Sequence, residues 1–546
     1  MRPVSRRAFL AAGAAVVVAA CSESDVNESA PSTTSATSKT PSTAAAATTT
    51  EATATTSTTT TLPPVQLSAN PFTLGVASGD PDAVSVVLWT RLAPDPLNGG
   101  GVPDDDLDVT WEISDTPAFD TVVDSGVETA TGAHAHTVHA IVPLDQGTWY
   151  YRFRLGQYTS PVGTTSAAPD SSDEFATTTF AVANCQNYAH GQYAAHRDLA
   201  EHEPDFVVFL GDYIYEDPGA TEAADLTARV HLGPEPTTID DYRNRYARYK
   251  TDAHLQAAHV ACPWFVIWDD HEVENNYAGF VPQDAADQAT FADRRAAAYQ
   301  AWWEHQPVRL EAPVTADGEY RIYREARWGE LIDLTLLDGR QYRSDQACGD
   351  ASLSFEPPCA ELIDPARTML GDDQEAWLFD TLAASKATWN VIGNQVILAD
   401  ARLNGTVLNY DQWDGYPVER ERILQHLADS NVANVVVLTG DIHLAAIAQL
   451  RAGDRATGTA VGAEFITTSI SSAGLISDQF TDVLKSYPHL VDAELTHRGY
   501  VLHTVTTQRW TAEYRMVTDV ANADSELTTL GRYVVEAGTN IVTKLV

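Results

Sequence analysis

Thr178-Thr179-Phe180-Ala181-Val182-Ala183-Asn184-Cys185, then a helix-like segment from about 193 to 202, then Asp205-Phe206-Val207-Val208-Phe209-Leu210-Gly211-Asp212-Tyr213-Ile214-Tyr215 form the stretch that decides the fold. Two short apolar runs, 180–183 and 206–210, flank the helical segment, which predicts a strand–helix–strand unit with parallel strands. Cys185 follows the first run, and Asp212 and Tyr215 follow the second. A thiol, a carboxylate and a phenol are thereby expected at one sheet edge, outside the carboxyl ends of the strands, where open α/β sheets bind ligands.

Two further strands are read in the same way. The run 264–268 leads into Asp269-Asp270-His271-Glu272-Val273-Glu274-Asn275-Asn276, and 434–438 leads into Thr439-Gly440-Asp441-Ile442-His443. A single aspartate at a strand end is ordinarily a cap or turn residue. Four apolar runs that each end in metal-competent side chains are not explained by core packing, and they point to a metal centre.

Gly211-Asp212-Tyr213-Ile214-Tyr215, Asp270-His271-Glu272 and Gly440-Asp441-Ile442-His443 resemble the motifs of the metallophosphoesterase superfamily, in the variant of the alkaline phosphatase D (PhoD-type) family. Similar stretches begin at Asn70 (Asn-Pro-Phe-Thr-Leu-Gly-Val-Ala-Ser-Gly-Asp-Pro), at Leu337 (Leu-Asp-Gly-Arg-Gln-Tyr-Arg-Ser-Asp-Gln) and at Tyr410 (Tyr-Asp-Gln-Trp-Asp-Gly-Tyr-Pro), so the resemblance runs from about residue 68 to the C-terminus. It implies an N-terminal all-β fibronectin/Ig-like sandwich followed by an α/β metallophosphoesterase domain of two packed mixed sheets flanked by helices. It also implies ferric iron (Fe3+) on Cys185, Asp212, Tyr215 and His443. Calcium (Ca2+) is implied on the oxygen-rich side, with Asp212 bridging to Asp270 and Asp441 and with Asn275 as a further ligand for which Asp269 or Asn276 could substitute. Asp441 and Cys185 stand where the related purple acid phosphatases carry a histidine and an aspartate.

That division agrees with ligand chemistry, since thiolate and phenolate suit a polarisable Lewis-acidic ion and carboxylate and amide oxygens a hard one. The implied reaction is hydrolysis of a phosphate ester by direct attack of a metal-activated water, in which paired cations offset the charge of the phosphoryl group. His271 is expected either to contact phosphoryl or leaving-group oxygen or to orient Asp270. Arg343 is expected either to clamp phosphate, as guanidinium does bidentately, or to form a structural ion pair.

The rest of the chain bounds where this chemistry operates. Ser5-Arg6-Arg7-Ala8-Phe9-Leu10 is a twin-arginine motif, and the apolar stretch 11–20 has the ~7–15-residue length of a signal core. Val18-Ala19-Ala20-Cys21 resembles a lipoprotein cleavage box, so the expected partners are the twin-arginine export machinery and, through a lipid anchor on Cys21, the outer face of the cytoplasmic membrane. A linker dominated by Ser, Thr, Ala and Pro is read over 22–66, a β-sandwich over 67–170, the catalytic domain over 175–520 and a C-terminal tail over 521–546. With 75 Asp and Glu against 34 Lys and Arg, a net charge of −41, no nucleic-acid-binding surface is expected.

Cys348 and Cys359, in one loop of an exported chain, are expected to pair, and Cys262 to remain a buried thiol. A Cys185–Cys262 bond would remove the iron ligand. His134, His136 and His139 invite a metal reading, but strand alternation puts His139 on the opposite face from the other two. The function implied is a phosphoric ester hydrolase of small-molecule, cell-wall or lipid phosphate esters. A phospholipase D-like or teichoic-acid phosphodiesterase on the same site, or an inactive surface binding protein, are the alternatives.

Overall fold

The computed structural model describes residues 65–170, 177–218, 229–231, 233–313, 320–352, 357–474 and 480–545. The expected export signal, Cys21 and nearly all of the linker lie outside the described residues. Among the described residues no helix is long and apolar enough to cross a membrane.

The strand–helix–strand unit is present as Thr177–Ala183, Ala194–Glu201 and Phe206–Phe209, with the two strands parallel. Trp264–Val266 adds a third parallel strand and Gly499–Thr506 an antiparallel neighbour on the other side. A second sheet places Ile332–Leu336, Trp389–Gly393, Val435–Thr439 and Thr459–Ile466 side by side and parallel. The central parallel strands of both sheets are buried on both faces, which is why they read as continuous Val, Ile, Leu and Phe runs rather than alternating patterns.

One core joins the two sheets: Phe180, Val182 and Val208 of the first and Leu334, Val391, Val436 and Phe465 of the second belong to the same buried cluster. Within it Phe180 stacks on Phe206 with ring centroids 4.6 Å apart. Helices cover the outer faces. Ile239–Lys250, opened by a Thr238/Asp241 capping box, contributes Tyr242 and Tyr246 to the first core. Gly371–Ala384 and Pro417–Asp429 bury Leu378, Leu382, Ile423 and Leu424 against the second sheet.

The first sheet crosses both expected domain boundaries. Val76–Gly79 pairs with Trp264–Val266 through Gly79 and Trp264, and Ser85–Arg91 and Thr137–Pro143 continue outward from it. Hence the strands of segment 67–170 lie in two layers, of which only one is its own: the sheet formed by Asp124–Ala130, Leu107–Ser114, Thr148–Leu155 and Tyr158–Thr159, with Gly163–Ser166 also paired to Thr148–Leu155. Its other layer is the end of the ten-stranded sheet, and Val86, Leu88, Trp111 and Phe153 close the core between them. The segment 521–546 likewise supplies Leu527–Glu536 and Val542–Lys544, the opposite edge of the same sheet.

The three histidines serve structure. His134 sits in a short turn with its ring edge-on to Trp303, His136 bonds the Asp105 carbonyl, and His139 stacks on Trp303 and bonds the Gln306 carbonyl. Because the strand begins only at Thr137, the alternation expected across all three does not extend back to His134. Cys348 and Cys359 form a disulfide, and Cys185 and Cys262 are buried free thiols.

Candidate metal centre

The parallel strands of both sheets end at one edge, and the chain turns sharply there. Cys185, Asp212, Asp441 and His443 have φ of 53°, 57°, 63° and 57°, the left-handed region that non-glycine residues rarely occupy. Such conformations cost of order 1–3 kcal/mol each and persist only where surrounding contacts enforce them. Here the contacts are visible. Cys185 N donates to the Gly211 carbonyl (3.1 Å) and Gln186 N to the Asp212 carbonyl (3.0 Å), stitching the first two loops together. Gly211, at φ 107°, leaves no room for a side chain, since a Cβ would stand 2.5 Å from the Asp269 backbone nitrogen.

Glu272 ties these loops to the next one. Its fully buried carboxylate accepts from the backbone nitrogens of Asp212 (3.0 Å), Tyr213 (2.5 Å) and Asp269 (2.8 Å). Burial raises its pKa to about 7 against the pull of those three donors.

On one side of Asp212 lie Cys185 and His443, with a ligating atom of each within 4.8 Å of the other two. The Tyr215 hydroxyl donates to Asp212 Oδ2 at 2.8 Å and stands 2.9 Å from His443 Nε2. His443 Nδ1 faces the Ala473 carbonyl at 2.7 Å, which assigns the proton to Nδ1 and a lone pair to Nε2. Arg498 donates to the His443 carbonyl and to Ser469 Oγ, holding that loop. Burial first, then the charges of Asp212 and Asp441, raise the Cys185 thiol well above its ordinary value. Burial and Asp212 do the same to Tyr215, while burial and Arg498 press His443 down to about 3.

On the other side, Asp269, Asp270 and Asp441 bring carboxylate oxygens within 4.8 Å of one another, and Asp212, Asp270 and His271 form an overlapping group. Asp212 is common to both sides. Asp212 Oδ1, Asp269 Oδ2 and Asp270 Oδ1 are buried with no hydrogen-bond partner. Burial and mutual repulsion raise Asp441 far above the carboxylate range, and Asp212 is raised by burial and the neighbouring acids against His271. Buried anionic oxygens without donors are the environment that a cation relieves, and a thiol and phenol held protonated by burial ionise when one binds. The residues fit a pair of metal ions.

Of the expected site residues, Cys185, Asp212, Tyr215, Asp270, His271, Asp441 and His443 come together, whereas Asn275 and Arg343 bond elsewhere. His271 Nδ1 pairs with Glu216 Oε2 at 2.6 Å, and its ring lies 4.1 Å from that of Tyr215. Against the burial cost, Glu216, Asp212 and Asp270 raise its pKa well above normal, and His271 in turn brings Glu216 down to about 2 although burial opposes it. An imidazolium–carboxylate pair therefore stands at the edge of the centre, and Glu216, not Asp270, is the hydrogen-bond partner of the ring. Asn275 donates its backbone nitrogen to Glu216 Oε1 (2.9 Å), and its side-chain Nδ2 is buried without a partner.

Arg343 is engaged in an ion pair: Nη1 lies 2.6 Å from Asp411 Oδ1 and Nε donates to the Gly339 carbonyl. The guanidinium inside the acid cluster is that of Arg340. It donates through Nε to Asp269 and through Nη1 to Asp411 (2.9 Å), with Nη2 at 3.3 Å from Asp270 and 3.7 Å from Asp441. Gln412 Nε2 holds Asp441 Oδ2 at 2.5 Å. Sequence reasoning missed Arg340, Gln412, Glu216 and Glu272. Arg340 and Gln412 lie inside quoted motifs, and Glu216 and Glu272 each border a named ligand or site residue.

The profile of the PhoD-like phosphatase family matches residues 180–514, and that of the PhoD-like phosphatase N-terminal domain matches 33–169. Alkaline phosphatase D of Bacillus subtilis (strain 168) is 43% identical over 479 residues, covering 86% of this chain and 81% of the relative. A solved structure of PhoD superposes with a TM-score of 0.84 at 42% identity, covering 88% of this chain and 94% of that one. A purple acid phosphatase from yellow lupin seeds, 11% identical, superposes at 0.50 over 85% of this chain and 73% of its own, a likeness of fold. With matches of this extent, two sheets packed in one core and an edge that gathers metal-competent groups, the chain belongs to the PhoD-like phosphatase family and is a phosphoric ester hydrolase.

Proposed function

We propose that the chain is an exported alkaline phosphatase D-type enzyme, tethered through Cys21 beyond the linker 22–66, that hydrolyses phosphomonoesters and accepts diesters. In this reading residues 67–170 are a fibronectin-like sandwich that shares a sheet with the catalytic domain. Cys185, Asp212, Tyr215 and His443 would hold ferric iron, and Asp212, Asp270, Asp441 and Asn275 would hold calcium. The observation that carries the reading is the chain of overlapping ligand groups: Asp212 belongs both to a group with Cys185 and His443 and to one with Asp270 and His271, and Asp270 in turn gathers with Asp269 and Asp441. When bound, the ions neutralise phosphoryl charge and activate water.

The chain's own residues do the remainder. The imidazolium of His271, kept charged by Glu216, presents a proton at the rim to a phosphoryl or leaving-group oxygen. Arg340 holds the three aspartates in register, and Asp411 and Arg343 hold Arg340. Arg343 thus acts through Asp411 rather than on phosphate.

Metal analysis of protein purified without added metal, with hydrolysis of a chromogenic monoester and diester with and without calcium, tests the reading. Stoichiometric iron, a visible charge-transfer band lost in Cys185→Ala and Tyr215→Phe, and calcium-dependent turnover are expected. Zinc, or activity indifferent to Cys185→Ala, would refute the iron assignment. Turnover confined to diesters would favour a phosphodiesterase of cell-wall or lipid substrates.

A further inference from the structure

A small cavity of about 50 Å3 lies where the helix Pro417–Asp429 packs on the strand Ala445–Ala452, lined by residues that the metal centre does not use. Four of the chain's 34 basic residues, Arg402, Arg420, Arg451 and Arg455, line it together with Asp400 and His489. In a protein with more than twice as many acidic as basic side chains, such a concentration of guanidinium is against the composition.

The local charge does not close on itself. Asp400 faces Arg402 at 2.5 Å, Arg455 at 3.4 Å and Arg420 at 3.8 Å, and Asp414 pairs with Arg420. Glu421, also on the lining, spends Oε1 on the Gly453 backbone nitrogen at 2.9 Å. Four guanidinium groups thus meet three carboxylates. Arg451 gives Nη1 to the Gly458 carbonyl at 2.8 Å, but its Nε is buried with no partner. His489 is 3% exposed, and neither of its ring nitrogens makes a well-formed hydrogen bond, although its ring interacts with the Asp400 backbone. Buried polar atoms left in this condition cost about 1–3 kcal/mol each, so Arg451 Nε and the His489 ring leave hydrogen-bonding capacity that an acceptor in the cavity would satisfy.

We propose that this cavity is a binding site for a tetrahedral oxyanion of the inorganic phosphate class, held by Arg451, Arg455 and His489. Guanidinium presents paired N–H groups that match such oxygens. Burial first, then Arg455 and Arg420, lower the His489 pKa to about 4, which leaves a neutral ring able to donate one N–H and adds no charge of its own. A space of about 50 Å3 is large enough for a small anion.

The test is a calorimetric titration of metal-loaded full-length protein with inorganic phosphate, comparing wild type, Arg455→Gln and the double variant Arg451→Gln/Arg455→Gln. One binding event should weaken about tenfold or more in the double variant and less in the single one. In both variants kcat/KM for a chromogenic monoester should stay within about twofold of wild type, because neither arginine touches the metal centre. If every phosphate-binding event is the same in wild type and variants, the proposal is overturned. Should the double variant not fold, Arg455→Gln carries the test alone, on a side chain 28% exposed. A failure of the phosphatase reading shows itself separately, as loss of the arginine-independent event while the arginine-dependent one remains.

Discussion

Around Asp212 the centre has two unlike sides. Cys185, Tyr215 and His443 are joined by a phenol that reaches both the carboxylate and the imidazole, so that side is held by neutral donors and its thiol and phenol stay protonated until a cation arrives. Asp269, Asp270 and Asp441 offer only carboxyl oxygens, and the fixed charge of Arg340 runs between them. The soft side therefore gives up thiol and phenol protons on binding a metal, whereas the hard side, where only the raised carboxyl of Asp441 adds a proton to release, has a permanent counter-ion that any cation must share. Metal affinity on the first should depend on proton release, and on the second on how Arg340 divides itself among the carboxylates.

Removing the shared residue erases the comparison and has the largest expected effect. Asp212→Asn removes the carboxylate that the group with Cys185 and His443 shares with the group of Asp270 and His271. If the ions together supply several kcal/mol of transition-state stabilisation, kcat/KM should fall roughly 1,000-fold or more. Metal analysis of the same variant should find both ions depleted, where a one-sided variant loses one. Asp212→Asn protein that retains iron in full would show that Asp212 does not bridge.

Cys185→Ser acts on the soft side alone. A hydroxyl is a much weaker ligand for a polarisable ion, so the visible band and the iron should be lost while calcium is kept. Activity should drop by about 100-fold, less than for Asp212→Asn, because the carboxylate side remains intact.

Arg340→Gln separates the sides most sharply, since it should move two observables in opposite directions. In metal-free protein the buried carboxylates lose their counter-ion, and stability should fall by about 3–5 kcal/mol in a denaturant titration. Calcium affinity, followed by calorimetry, should rise, because a cation then faces the aspartates without a resident competitor. A variant in which both quantities fall would mean that the ordering of the aspartates by Arg340 outweighs its competition with the ion.

These contrasts also explain what could be read from the chain and what could not. The strand–helix–strand unit and the strands of the second sheet are local, and their apolar runs mark them wherever both faces are buried. Cys185, Asp212, Asp270, Asp441 and His443 were legible because each follows such a run within a few residues. Arg340 was not, because it enters the cluster only when the loop after Ile332–Leu336 folds back on ligands borne by two other loops. Arg343, three residues on, is the same chemical type in the same motif, and only packing distinguishes them. The shared sheet was hidden for a similar reason: its junction rests on Gly79 opposite Trp264, a pairing between distant segments with no local signal. The edge strands of the C-terminal segment alternate weakly, with exposed residues at Thr528–Leu530, and gave no clear pattern.

The smallest expected effect compares the two glutamates that hold the strand-end loops, one per sheet. Glu272 accepts from Asp212, Tyr213 and Asp269, loops that carry ligands of both sides. Glu464 accepts from Leu398 N (2.8 Å), Ala399 N (2.8 Å) and Thr439 Oγ1 (2.7 Å), so it braces the second sheet one step behind Asp441. Replacing either by Gln exchanges an acceptor oxygen for an NH2 that faces donors, and each should cost about 1–3 kcal/mol of stability. Their activities should differ, however. Glu272→Gln loosens the ligand-bearing backbone directly and should lower kcat/KM by about 10–100-fold, with weaker retention of both metals on dialysis. Glu464→Gln should leave metal content and kcat/KM near wild type while shifting the denaturation midpoint as far. Equal losses of activity in the two variants would show that the strained turn at Asp441 depends on its brace as closely as the turn at Asp212 does.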